Sequence, residues 1–290
     1  MRAAAASAFA QADRDAALPH LLKAVTDPDS WVRYFAARSI GHHGYGEGLD
    51  PLAELAKTDS ASHVRIAAVG SLGRIGGPRA VEVLSSIVGS PDPDLARAAL
   101  QSLGQIDHPD ALPLLLEALR SPDAALRFEV LQALGARGGE EAVKAMEWSA
   151  AVDPDPRVAQ AAVDSLARLA TPESIAGLVN LTADPARREA SVNALAQLGE
   201  RKISLIGGGL KHAQSSVRRS VVEALGRMKH SLASEVLSGA LEDEEASVRL
   251  AAVNALAHLG NRSVERKLLA LMQTDPDTSV RRAAQRALSR

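Results

Sequence analysis

Asp29-Ser30-Trp31-Val32-Arg33-Tyr34-Phe35-Ala36-Ala37-Arg38-Ser39-Ile40-Gly41 is the stretch that decides the fold, because its pattern returns along the whole chain. With Val32 as position zero, an acidic residue stands three before and an arginine one after. Small or branched apolar residues follow at four and five, Leu or Ile at eight, and Gly or Ala at nine. Equivalent zero positions are Met1, Val64, Leu95, Leu126, Val158, Arg187, Val217, Val248 and Val280, separated by 29 to 32 residues. A period of this length sustained across a chain signifies a solenoid.

Positions zero, four, five and eight trace one face of a 3.6-residue helix, here helix B. Asp29, Asp92, Asp123, Asp155, Asp184 and Asp277 stand three before zero, where a carboxylate caps free N–H groups and meets the positive helix end. Pro28, Pro91, Pro122, Pro154 and Pro276 sit one residue earlier and end the preceding helix. Glycine at nine (Gly41, Gly73, Gly104, Gly135, Gly226) predicts close helix packing rather than a terminus. A shorter helix A is predicted over 78–88, 109–120, 172–183 and 262–274, with proline opening the first three.

Two places break the rhythm. Gly207-Gly208-Gly209 interrupts a helix A as a bend or a frayed segment; no Gly-Lys-Ser/Thr follows it, so it is no phosphate loop. In Gly41-His42-His43-Gly44-Tyr45-Gly46-Glu47-Gly48, His43 occupies a slot that is Ile, Leu or Met in most other repeats.

The fold expected is all-α, a solenoid of nine two-helix repeats forming one array over 1–290, led by a B helix over 1–12. The opening MRAAAASAFAQA has the basic start and A-x-A sites of a very short signal peptide. Met1, Arg2, Ala5 and Phe9 nevertheless fall on the repeat register, which favours a partial repeat. Solenoid ends need polar caps; none is evident, so the chain is expected to be a piece of a longer protein.

Composition narrows the function classes. The chain is 46% hydrophobic but 2% aromatic, so its core is Ala, Leu and Val. A net charge of −2 exerts no global pull on nucleic acid or acidic membranes. There is no cysteine, hence no disulfide or thiolate metal site, which fits a reducing compartment such as the cytoplasm. No apolar run reaches membrane-spanning length.

The Asp275-Pro276-Asp277-Thr278-Ser279-Val280-Arg281-Arg282-Ala283-Ala284 grammar resembles the short HEAT-like repeats named after phycobilisome lyases, over nearly the whole chain. The resemblance implies a right-handed superhelix with B helices on the concave side, and bonding between the Arg and Asp columns along the stack. Three enzymatic branches of the family are tested by the residues. Diiron deoxyhypusine hydroxylases carry His-Glu pairs, and this chain has no His-Glu dipeptide. Bilin lyases of this type offer no local motif to match. HEAT-like DNA glycosylases call for a basic concave face with aromatics and a carboxylate.

The arginine column holds Arg2, Arg33, Arg65, Arg127, Arg188, Arg218, Arg249 and Arg281. It could bind an anion, but its recurrence beside Asp29, Asp92, Asp123, Asp155, Asp184 and Asp277 reads as a structural ladder. Positions two, six and ten face outward and carry nine arginines (38, 74, 97, 168, 219, 227, 282, 286 and 290) against Asp164, Glu189 and Glu223. Such a stripe favours an acidic partner, although position-ten arginines also offset the helix dipole. Trp31, Tyr34, Phe35 and Tyr45 are four of seven aromatics and lie beside Arg38 and His42. Aromatics with Arg are typical interface hot spots; bulky residues sealing the end of a stack are the structural alternative. Phe128, Ile66 and Leu250 at position two would extend an apolar seam.

Adjacent His42 and His43 point about 100° apart on a helix, so no metal or other cofactor is assigned. No catalytic set can be built. The partner-binding candidates are therefore Trp31, Tyr34, Phe35, Arg38, His42, Tyr45, Arg74, Arg97, Phe128, Arg168, Arg219, Arg227, Arg282 and Arg286. They belong to a non-catalytic scaffold for a protein or peptide of acidic character. Nucleic-acid binding through the basic stripe and lyase-like small-ligand binding are the alternatives.

Overall fold

Residues 2–11, 13–259 and 264–289 are described by a computed structural model. Met1, Arg262 and Arg290 lie outside the described residues, so the first zero position, one predicted helix start and the last outward arginine do too. The described residues form an all-α solenoid with no strand among them. They divide into two compact units, Met1–Ala142 and Val143–Arg290, with the boundary inside one helix.

The B helices are α1 (Arg2–Ala8), α3 (Ser30–His43), α5 (Ser62–Ile75), α7 (Pro93–Gln105), α9 (Ala124–Arg137), α11 (Pro156–Leu169), α13 (Pro185–Ala196), α15 (Ser215–Arg227), α17 (Ala246–Leu259) and α19 (Thr278–Leu288). Between them run the A helices α2 (Arg14–Ala24), α4 (Leu49–Thr58), α6 (Gly77–Ile87), α8 (Ala111–Ala118), α10 (Glu140–Val152), α12 (Pro172–Leu181), α14 (Ile203–Gly207), α16 (Ser231–Leu237) and α18 (Glu265–Thr274). In the first unit α3 packs between α1 and α5, and α5 between α3 and α7. In the second, α13 through α19 stack in the same way, each B helix on the next. Pro78 and Pro172 start their helices as expected. Pro109 does not: α8 begins two residues later, at Ala111, behind a turn.

The interior is a lattice of small contacts. The zero, four and eight residues of α3 (Val32, Ala36, Ile40) are buried, as are their counterparts Val217, Val221 and Leu225 of α15. Glycine at nine is needed for close approach. A Cβ on Gly41 would stand 2.5 Å from that of Ser71, and one on Gly104 would stand 2.8 Å from the Ala133 carbonyl oxygen. For Gly41, Gly73, Gly104 and Gly226 the facing residue stands seven after zero, a position held by small residues throughout: Ser39, Ser71, Ser102, Ala133, Ser165, Ala194, Ala224 and Ala255. Two of those serines also donate across the stack, Ser39 to the Ala6 carbonyl and Ser102 to the Val69 carbonyl.

Gly207-Gly208-Gly209 does interrupt an A helix, which tightens from α14 into a 3-10 turn over Gly208–Lys211. Two of the three glycines stand where there is no room for a side chain. A Cβ on Gly207 would reach to 2.6 Å from Val236, and one on Gly209 to 2.7 Å from Val221. At twelve after zero six repeats have positive φ. Gly44, Gly76, Gly138 and Gly199 tolerate it freely, but Ala170 (φ 47°) and Lys229 (φ 51°) also have it. That conformation costs a non-glycine residue about 1–2 kcal/mol.

Candidate functional site

The arginine column is committed to structure. Five of the guanidinium groups reach back to the loop of their own repeat, where Nη1 donates to carbonyls five and six residues earlier, and Arg65 keeps the bond to the carbonyl six earlier. Arg33 meets Asp27 and Pro28, Arg127 meets Ser121 and Pro122, and Arg218 meets His212 and Ala213. Arg249 and Arg281 do the same with Asp243 and Glu244, and with Asp275 and Pro276. The other edge of the fork grips the next repeat. Arg33 donates bidentately to Asp59 at 2.6 and 2.9 Å, Arg218 to Asp243 at 2.8 and 2.9 Å, and Arg249 to Asp275 at 2.7 and 3.0 Å.

These partners are not the predicted aspartates. They stand five before zero, in a second column of Asp27, Asp59, Asp153, Asp243 and Asp275, with Ser90, Ser121, Thr182 and His212 in the remaining places. The expected ladder residues Asp29, Asp123, Asp155, Asp184 and Asp277 instead cap helix B, each accepting from the backbone N–H two residues on. The cap itself does not separate the two columns, since Asp59, Asp243 and Asp275 also accept from the N–H two residues on; what differs is that their position faces the arginine of the neighbouring repeat. Of the predicted aspartates only Asp92 does both, and it does so where Ser90 fills the other column and leaves Arg65 to find Asp92 at 2.8 Å. Arg188 likewise faces a repeat whose column residue is His212, and turns to Ser220 and Glu223.

Electrostatics follow the geometry. The Arg33 guanidinium holds the Asp59 carboxyl below its usual range against the opposing effect of burial. Burial pushes Asp243 and Asp275 up, but the hydrogen bonds from Arg218 and Arg249, the loop N–H groups of Glu245 and Asp277 and the arginine charges together outweigh it, and both end lower than usual. The arginines move the other way, Arg33, Arg218 and Arg249 each being raised by its aspartate. On the surface, Arg157 hydrogen-bonds Asp155 and lowers it to about 2.

With the ladder spoken for, the outward face of the B helices is what remains. In the first unit it is aromatic. Trp31 is 53% exposed and lies stacked on His63 at 4.7 Å, with Tyr34 edge-on at 5.5 Å. Arg38 sits over the Tyr34 ring at 5.6 Å and donates to its hydroxyl. Phe35, Arg38, His42 and Arg74 share a cleft of about 210 Å³ beside α1. Crowding by protein, and then the charge of Arg38, lower the Arg74 pKa; its guanidinium donates to Ser71.

Tyr45 does not belong to this set. It is 2% exposed, a core residue rather than a contact residue. The glycine-rich exit folds inward: Gly44 turns left-handed, His43 bonds the Phe9 carbonyl at 2.8 Å, and its ring lies 5.1 Å from that of Tyr45. His43 and Tyr45 thus fill the place of the aliphatic residue that other repeats carry. Farther along this unit, Phe128 is 37% exposed, and Arg97 is held by Glu129 and Asp94.

In the second unit the outward face is polar. Arg168, Arg282 and Arg286 are exposed. Arg227 is bound by Glu189 and Glu223, which raise it, while Glu189 is lowered in turn. Arg219 and Arg227 line a cleft of about 540 Å³ between α15 and α17. Sequence reasoning missed His63, Lys229 and the exposed Trp148 (59%) on α10; none repeats with the cassette, so periodicity carries no signal for them. It also missed the Asp59–Asp243–Asp275 column, which is visible in the sequence once the repeats are aligned.

The HEAT-repeat family model matches residues 1–62, 18–91, 84–158 and 203–289. The chain belongs to the HEAT-repeat family. No curated protein matches it. Among solved structures, human deoxyhypusine hydroxylase in complex with glycerol is 24% identical, over 84% of this chain and 95% of that one, with a TM-score of 0.39. An engineered protein is 22% identical over 99% and 94%, at 0.38. The complex of CpcE and CpcF of phycocyanin lyase from Nostoc sp. PCC7120 is 20% identical over 93% and 92%, at 0.42. Likenesses this low carry no functional argument. The finer resemblance to lyase-type HEAT repeats rests on the cassette itself. Among the described residues no HEAT helix is long and apolar enough to cross a membrane, and no group of three His, Asp or Glu could hold a metal.

Proposed function

We propose that this HEAT-repeat chain is a non-catalytic scaffold that holds a protein or peptide on the outward face of its B helices. The observation that supports it best is Trp31. An indole 53% exposed, flanked by Tyr34, Phe35 and His63, removes little apolar area from water in the free protein. Interfaces draw their energy from such aromatic and arginine anchors once a partner desolvates them. The repeats need nothing at Trp31, Tyr34 or Arg38 to stack, since the zero, four, five, eight and nine positions do that. Nucleic-acid binding is less well supported, because carboxylates already neutralise Arg97 and Arg227.

The test is affinity capture with the intact chain and with a Tyr34→Ala/Arg38→Glu variant, identifying bound proteins by mass spectrometry. At least one partner recovered by the intact chain is expected to be lost from the variant. Identical recovery from both would refute this surface.

A further inference from the structure

We infer that the cleft between α15 and α17 is a second binding site, for a peptide segment in which carboxylates flank an apolar side chain. The inference rests on the scaffold reading above and gives it a location and a ligand chemistry in the second unit. The cleft has about 540 Å³, within the range of sites that take a side chain or a small ligand. Gly226, Ala251 and Ala255 form its floor. They are small because the two helices meet there: a Cβ on Gly226 would stand 2.9 Å from that of Ala255. An apolar side chain entering the cleft therefore lies against close-packed backbone.

The rim is basic and uncompensated. Arg227 and Glu223 close on each other and on Glu189 and Arg188, so those four charges cancel. Arg219, Lys229 and His258 also line the cleft, and none has an ion-pair partner among the described residues. Their donors are left for an anion from outside. Carboxylates on either side of an apolar residue match a basic rim around an apolar floor.

Lys229 supplies an independent indication. It holds a left-handed backbone at the position where Gly44, Gly76, Gly138 and Gly199 stand in other repeats. A lysine is strained there and a glycine would not be. Strain of this kind collects where a side chain is required for another purpose. Here the strained residue is one of those that line the cleft. Ala170, which also has positive φ, is not among the residues that line this cleft and serves as the internal control.

The probe is a fluorescein-labelled octapeptide of alternating Glu and Leu, titrated against the full chain by anisotropy, with Gln-Leu and Lys-Leu octapeptides as controls. The Glu-Leu peptide is expected to bind at least about tenfold more tightly than either control, and added salt should weaken it. Arg219→Glu/Lys229→Glu should reduce its affinity about tenfold or more, with melting temperature unchanged. Lys229→Gly should weaken binding while raising the melting temperature; Ala170→Gly should raise the melting temperature and leave binding alone. Equal binding of Glu-Leu and Lys-Leu peptides, no saturable binding at about 1 mM, or indifference to Arg219→Glu/Lys229→Glu would overturn the inference. Loss of binding in Tyr34→Ala/Arg38→Glu instead would move the site to the first unit, ending this assignment but sparing the scaffold reading.

Discussion

Two joints of the second unit, built on the same cassette, are closed in different ways. Where α17 meets α19, Arg249 forks onto Asp275, 1% exposed in its side chain, while Asp275 also accepts the Asp277 N–H. Where α13 meets α15, His212 replaces the aspartate. It still accepts the loop N–H, from Gln214, but gives the arginine no carboxylate, and Arg188 bends away to Ser220 and Glu223. The zero position of that repeat is Arg187, whose Nε is buried without a partner, and the Ser191 hydroxyl is orphaned beside it. The family model leaves 159–202 unmatched, the stretch that leads into this joint. One residue, five before zero, thus does two jobs: it shapes the loop, and it ties one repeat to the next. Histidine keeps the first and loses the second.

The largest expected effect breaks the intact joint. Asp275→Ala strands the Arg249 charge in a buried place and should destabilise the chain by about 3–5 kcal/mol, read by denaturant unfolding. The same pair predicts acid sensitivity. The folded Asp275 titrates below its ordinary 3.8, so its contribution is present above about pH 4 and lost as pH falls through the lowered folded value. Unfolding midpoints followed downward from neutral pH should drop in this range for the intact chain and less steeply for Asp275→Ala.

A smaller effect sharpens the division of labour. Asp277, two residues away, caps α19 through the Ser279 and Val280 N–H groups and grips no arginine. Asp277→Ala should cost about 1 kcal/mol; a loss equal to that of Asp275→Ala would show that the two columns share the ladder after all. Smallest, and opposite in sign, is Ala170→Gly. Relief of the left-handed strain of about 1–2 kcal/mol is partly offset by the added freedom of glycine in the unfolded chain, about 0.5–1 kcal/mol. A gain of roughly half a kcal/mol should raise the thermal midpoint slightly.

Much of this was legible in the sequence because it is local. The apolar spacing of Val32, Ala36 and Ile40, the cap at Asp29 and the proline before it all act within a helix or a single turn. Those interactions determined the helices, their order and the repeat. Glycine at nine announced close packing, although the small column at seven that receives it had to be seen in space. The candidate site was legible only as an inventory. Trp31, Tyr34, Phe35 and Arg38 do come together, each being within four residues of the next on one helix; His63 joins them from the next repeat without any periodic signal.

What tertiary structure alone decided is which equivalent residue meets which. Asp27 and Asp29 look interchangeable on the page, and so do the two aspartates of every Asp-Pro-Asp loop. The choice between them is made by an arginine about one repeat distant, through the offset between stacked helices. Tyr45 in its run of glycines looked like a surface residue until the chain turned inward and used it to fill a gap beside His43. Local periodicity specifies the helices, but burial and partner choice belong to residues that only packing brings together.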